Sequence, residues 1–216
     1  MNQRTLINST LLLAAAVAAP GFAAGASAHL QVRGVIRPSA CMPVLQGDGM
    51  VNYADIGHGS LGQEEANRLA TREVELSISC DAPTKVGIRA TDNRSASKVA
   101  FPDIIDQKAM YGLGTAGSTN IGAYRVTIRK LIGDGTALDL LARGAQANSA
   151  WTRNATGNIR TDQTVSWGAP GSLTVGNYRR IAATLDVSAV LNRASLLPAN
   201  EVINLDGSAT LELVYL

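Results

Sequence analysis

Aromatic residues are scarce in this 216-residue chain, at 4%, and the basic residues never form a run. Without interleaved aromatic and basic side chains, nucleic acid is a poor partner, and so is an acidic membrane surface. Net charge is small, +2, and falls to about +1 if the first 28 residues, whose single charge is Arg4, are removed. There are only two histidines, His29 and His58. Neither lies at ligand spacing from a cysteine, so a zinc site has no donor set. There is no Gly-x-Ser-x-Gly elbow for a hydrolase of that design. Gly112-Leu113-Gly114 lacks the third glycine and the strand–helix setting of a nucleotide fingerprint. No long amphipathic helix, internal repeat or low-complexity linker is present. No cofactor, metal or enzymatic activity is expected.

The beginning of the chain reads as an export signal. Arg4 supplies the positive region, Leu11 to Ala19 the apolar region, and Pro20-Gly21 breaks it. Gly21-Phe22-Ala23 and Ala26-Ser27-Ala28 both fit a small-x-small cleavage site. The apolar run falls short of the roughly 20 residues a membrane span needs. The expected organisation is a signal peptide over 1–28 and one domain over 29–216, with cleavage after Ala28 or, as the alternative, after Ala23.

Two cysteines remain, Cys41 and Cys80. In an oxidising compartment they are expected to form one disulfide, worth about 3–4 kcal/mol in the chain-entropy model. The competing state is a pair of buried thiols.

Most of the chain alternates with period two between Gly- and Asn-rich turns. Strands are expected at Leu30–Ile36 (Leu30, Val32, Gly34 and Ile36), Val51–Tyr53, Arg72–Cys80, Lys85–Ala90, Ala123–Ile132, Val165–Trp167 and Tyr178–Val187. Gly62–Leu69 and Val187–Ala194 could each form a helical turn, and 95–117 and 144–176 read as long connections. Short strands at this spacing indicate an all-β, antiparallel sandwich. The last strand puts Ala209, Leu211, Leu213 and Tyr215 on one face and then ends at Leu216. An apolar terminal strand of this kind is explained if another strand lies against it.

Several segments resemble chaperone–usher pilus subunits. Leu30-x-Val32-x-Gly34-x-Ile36 with Cys41 following resembles their opening. Ile56-Gly57 with Leu61 resembles the segment after their first cysteine, and Val74-x-Leu76-x-Ile78-x-Cys80 the strand with the second. Ala209-Thr210-Leu211-x-Leu213-x-Tyr215-Leu216 resembles their C-terminal motif. Four further segments resemble a beta-fimbria type of fimbrial-like exported protein: Cys80-Asp81-Ala82-Pro83-Thr84, Asp92-Asn93-Arg94, Gly112-Leu113-Gly114 and Leu205-Asp206-Gly207-Ser208.

The resemblance implies an incomplete immunoglobulin-like sandwich whose groove is filled by a strand of a periplasmic pilus chaperone. The N-terminal segment of another fimbrial subunit then replaces that strand at an outer-membrane usher. Leu211, Leu213 and Tyr215 would line a groove edge, the Leu216 carboxylate would meet basic chaperone residues, and Leu30 to Ile36 would be the first strand or the donor arm. The implied location is the periplasm and then the fimbrium at the cell surface, with a host or surface glycan as a further partner. Three departures stand out. Ile203 occupies a position where these subunits tend to have glycine, Val214 and Leu216 make the other strand face apolar, and the N-terminal arm is short. The alternative function is a soluble periplasmic or secreted carbohydrate-binding sandwich that does not polymerise. For that reading, Asp92-Asn93-Arg94, the tryptophans Trp151 and Trp167, and the acids Asp103 and Asp106 are the side chains to locate, although an Asx turn, core burial and solvation are their simpler roles.

Overall fold

A computed structural model describes residues 30–35, 40–104, 106–146 and 148–216. The expected signal segment, His29 and Ile36 lie outside the described residues. The chain divides into two units, Met1–Arg37 and Pro38–Leu216. In the first, residues 30–35 form no strand, although their alternation predicts one, and Leu30, Val32 and Val35 are exposed. Alternation supplies a face, but a strand also needs a ladder partner.

The second unit is an all-β antiparallel sandwich. Its main strands are β1 (Cys41–Leu45), β2 (Arg72–Thr84), β3 (Val86–Asp92), β4 (Met110–Gly112), β5 (Gly122–Gly133), β6 (Asp139–Gly144), β7 (Gln163–Gly168), β8 (Tyr178–Leu191) and β9 (Ala209–Tyr215). One sheet has the order β1-β2-β8-β5-β4, with Asn67–Arg68 added to β8 and Thr136–Ala137 to β5. The other runs from Thr152–Arg153 through β6, β7 and β3 to β9. Among the described residues no helix is long and apolar enough to cross a membrane.

β2 shows why the sequence folds this way. Val74, Leu76, Ile78 and Cys80 are buried, while Glu73, Glu75, Ser77 and Ser79 face out. The facing sheet contributes Val86, Ile88, Ala90, Val165 and Trp167, and Trp167 is wholly buried between the sheets. Cys41 lies opposite Cys80 in the β1–β2 ladder and is bonded to it (S–S 2.04 Å), so the expected disulfide is present.

Several sequence readings are corrected. β8 continues through Val187 to Leu191 instead of turning helical, because Val190 and Leu191 pair with Ala123 and Gly122 on one side and with Arg68 and Asn67 on the other. The only turn there is a short one at Ala194–Leu196. Gly62–Leu69 forms no helix; the Asn67 side chain accepts the Gly62 N–H (2.6 Å) and donates to the Asn192 carbonyl (3.1 Å). Val51 and Tyr53 lie outside any strand, next to Ala54, whose φ is positive. β6 was not legible, because Leu140, Leu141 and Ala142 are buried consecutively and show no period of two.

Candidate functional site

β1 and β9 form the outer edges of their sheets on the same side of the sandwich. Among the described residues, β1 pairs with β2 alone and β9 with β3 alone. Between the edges runs an open groove whose two walls continue beyond the strands. On one side the chain leaves β1 through a turn at Gln46–Gly49, where Gly47, Asp48 and Gly49 all have positive φ. It then runs, outside any strand and with Ala54 at a positive φ, past the half-buried Val51, Tyr53 and Ile56. On the other side, Ile203 and Leu205 lead into Ala209, Leu211 and Leu213, all packed against the core.

The groove holds two adjoining cavities. One, of about 330 Å³, lies between Leu45 and Val51 on one wall and Ala209 and Leu211 on the other, over a floor that includes Tyr124 and Val126. The second, of about 590 Å³, shares Val51, Tyr53 and Leu205 with the first and continues to Ile56, His58, Leu197 and Ile203. Burial pushes the Tyr124 phenol well above its ordinary value, with Asp92 adding to the shift, so this part of the floor stays uncharged at neutral pH. The Tyr53 hydroxyl donates to the Val187 carbonyl (2.9 Å) and holds that ring in place.

The C-terminal residues singled out from sequence behave differently from one another. Ala209 and Leu211 line the groove. Leu213 packs on the core just beyond the first cavity. Tyr215 is 56% exposed; its hydroxyl accepts the Cys41 N–H (2.9 Å) and so links the two edges at one end of the groove. The Leu216 N–H donates to the Lys85 carbonyl (3.1 Å), and Val214 is half-buried. The sequence reading named the β9 edge but missed the Val51–Ile56 wall and the lead-in to β9. For the lead-in the signal was present: the period of two that defines β9 begins upstream, at Ile203, Leu205 and Gly207.

Three separate motifs meet where β9 begins. Asp92 accepts the Arg94 N–H (2.9 Å) and the Gly112 N–H (3.0 Å), an Asx turn that joins two segments. The Arg94 guanidinium donates twice to Asp206 (2.8 and 3.1 Å), and the Asn93 amide donates to Ser208 (3.0 Å) and Thr210 (3.1 Å). The Asp206 N–H donates to the Leu113 carbonyl (2.9 Å). Small residues are required here: a Cβ on Gly112 would lie 2.0 Å from the Arg94 carbonyl oxygen, and one on Gly207 would lie 2.9 Å from the Tyr124 ring. The polar groups of Asp92-Asn93-Arg94 are thus engaged in fastening the entry to β9.

The remaining side chains named from sequence do not converge. Asp103 pairs with Arg68, and Asp106 with Arg160 (3.5 Å). His58 sits in a short turn, its Nε2 3.4 Å from the Leu197 carbonyl. Trp167 is buried, and Arg143 stacks over Trp151 (4.7 Å to the ring centroid). Among the described residues no group of three His, Cys, Asp or Glu could hold a metal ion.

The family described as "Protein of unknown function (DUF1120)" matches residues 30–147, a span that contains both cysteines and the first groove wall but ends before β9. The chain is similar to Protein GltF of Escherichia coli (strain K12), 26% identical in an alignment covering 96% of this chain and 97% of that protein. It is also similar to the uncharacterized protein YhcF of the same organism, 27% identical over 87% of this chain and 90% of that one.

Proposed function

The chain belongs to the DUF1120 family of proteins of unknown function, and from that premise we propose that it is an exported structural subunit of fimbrial type. In this reading the groove between β1 and β9 accepts a strand from a periplasmic chaperone, and later one from another subunit delivered through an outer-membrane usher. The finished assembly stands at the cell surface and contributes to adhesion, and the chain itself carries out no catalysis.

The observation that carries the reading is the pair of open edges flanking an apolar groove. An extended guest there can bond to unpaired backbone groups of both walls while its alternate side chains enter the cavities. The disulfide fits the same role, because it ties one wall to the body of the sheet without occupying the groove. For a carbohydrate-binding module the support is thinner. Trp167 is buried, and one face of Trp151 is taken by Arg143.

The test is co-purification from the periplasm of cells that also express a tagged pilus chaperone. The full chain should be recovered with the chaperone as a stable complex. Deleting Leu213 to Leu216 shortens one wall and removes the Tyr215 link, and should abolish capture. Equal recovery with and without those four residues would refute the assignment.

A further inference from the structure

The two cavities differ in charge. The smaller has no ionisable acid or base among its lining residues other than its tyrosines. The larger is lined by Asp55 and Glu201, both exposed, together with His58, and by no lysine or arginine. Among the described residues, neither Asp55 nor Glu201 belongs to an ion pair. The two acids come from opposite walls: Asp55 from the chain after β1, and Glu201 from the segment that leads to β9. The wide end of the groove therefore ends in an acidic mouth above an apolar floor that includes Ile121 and Leu191.

We propose that this mouth selects the guest: the groove prefers an extended segment of a second polypeptide in which an alternating apolar run is followed, at the wide end, by a lysine or arginine. The inference rests on the strand-accepting reading above and adds to it the chemistry of the guest. Apolar side chains two residues apart fill the uncharged cavity, and the next one along reaches the larger cavity. A basic side chain there keeps its stem on the apolar lining and brings its charge to the rim that carries Asp55 and Glu201. Such a rim pairing acts through complementarity and the rate of encounter more than through raw affinity. An acidic or neutral residue at the same place gains nothing, and an acidic one is repelled.

The experiment uses the full chain purified from the periplasm and three fluorescently labelled ten-residue peptides. All share one alternating apolar core and end, on both sides, in lysine, serine or glutamate. Binding is read by anisotropy at low and at moderate salt. The lysine peptide should bind about tenfold more tightly than the glutamate peptide at low salt, with the ratio shrinking as salt screens the mouth. In the Asp55→Asn, Glu201→Gln double variant all three peptides should bind alike, because the serine peptide's affinity depends only on the apolar cavities. Equal binding of the three peptides to the unaltered chain overturns the selectivity while leaving the strand-accepting groove intact. A lysine preference that survives in the double variant assigns the effect elsewhere and also overturns it. If no peptide binds, both the inference and the function it rests on fail.

Discussion

At the scale of single residues, the fastening at the start of β9 decides most. Gly112 is in contact with backbone, and backbone gives way less readily than a flexible side chain. A methyl group 2.0 Å from the Arg94 carbonyl oxygen forces the turn at 92–94 to shift. Gly112→Ala should cost about 2–3 kcal/mol in urea unfolding, whereas Gly59→Ala, which meets nothing within 4 Å, should stay within about 0.5 kcal/mol. The Arg94–Asp206 pair makes a different prediction. The hydrogen bonds from Arg94 hold the Asp206 carboxyl below its ordinary range. A carboxylate lowered on folding stabilises the protein above its unfolded value, about 3.9, and that contribution is lost as pH falls through the folded value. Thermal melts from pH 5 down to pH 2 should therefore show a shallower acid decline for Asp206→Asn than for the unaltered chain. Two identical acid limbs would show that the pair is not coupled to folding. Asp134 and Asp162 are lowered for the same kind of reason, by backbone N–H groups and by Arg160 respectively, so part of the limb should remain.

At the scale of elements, β1 is the weak member. It has five residues, three of them exposed, and is ladder-paired on one side. Its attachment depends on Cys41–Cys80, which closes a 39-residue separation. Cys41→Ser should lower stability by about 2–5 kcal/mol, and reductant should lower the melting temperature of the unaltered chain but not that of the variant. A melting temperature indifferent to reductant would contradict this. The elements also show what a sequence can disclose. β2 was legible because it buries one face and exposes the other. The same period of two misled at Leu30–Ile36, where no ladder forms, and failed at β6, where three buried residues in a row give no alternation. The C-terminal end of β8, beyond Val187, was lost because residues such as Ala189 suit either a strand or a turn until their partners are known.

At the scale of the whole molecule, the candidate site was only half visible. Leu211 and the disulfide could be read from the ends of the sequence. The opposite wall, with Val51, Tyr53 and Asp55, and the lead-in to β9, with Glu201 and Leu205, are made by segments whose character depends on what the fold sets beside them. Asp92, Gly112 and Asp206 likewise meet only in three dimensions. The overall consequence concerns stability. Among the described residues the two groove edges carry no further strand, and an apolar groove open in this way gives up burial and backbone hydrogen bonding that a closed sandwich would gain. The chain purified without a chaperone should therefore unfold at low urea and tend to aggregate, and it should gain stability when the chaperone is added. A chaperone-free monomer that melts sharply above about 80 °C, far beyond the usual range for a mesophilic domain, would speak against a strand-accepting role.

The Cys41–Cys80 bond also sets the path of mechanical load. Tension on the chain ahead of Cys41 does not have to peel β1 away one hydrogen bond at a time. The sulfur bridge passes the pull into β2 at Cys80, beside the Ser79–Arg180 pair that begins its continuous ladder to β8. A cantilever pulling on that end should meet the resistance of the whole sheet at once, and reduction should turn a single high rupture force into an easy unzipping of five residues followed by the rest.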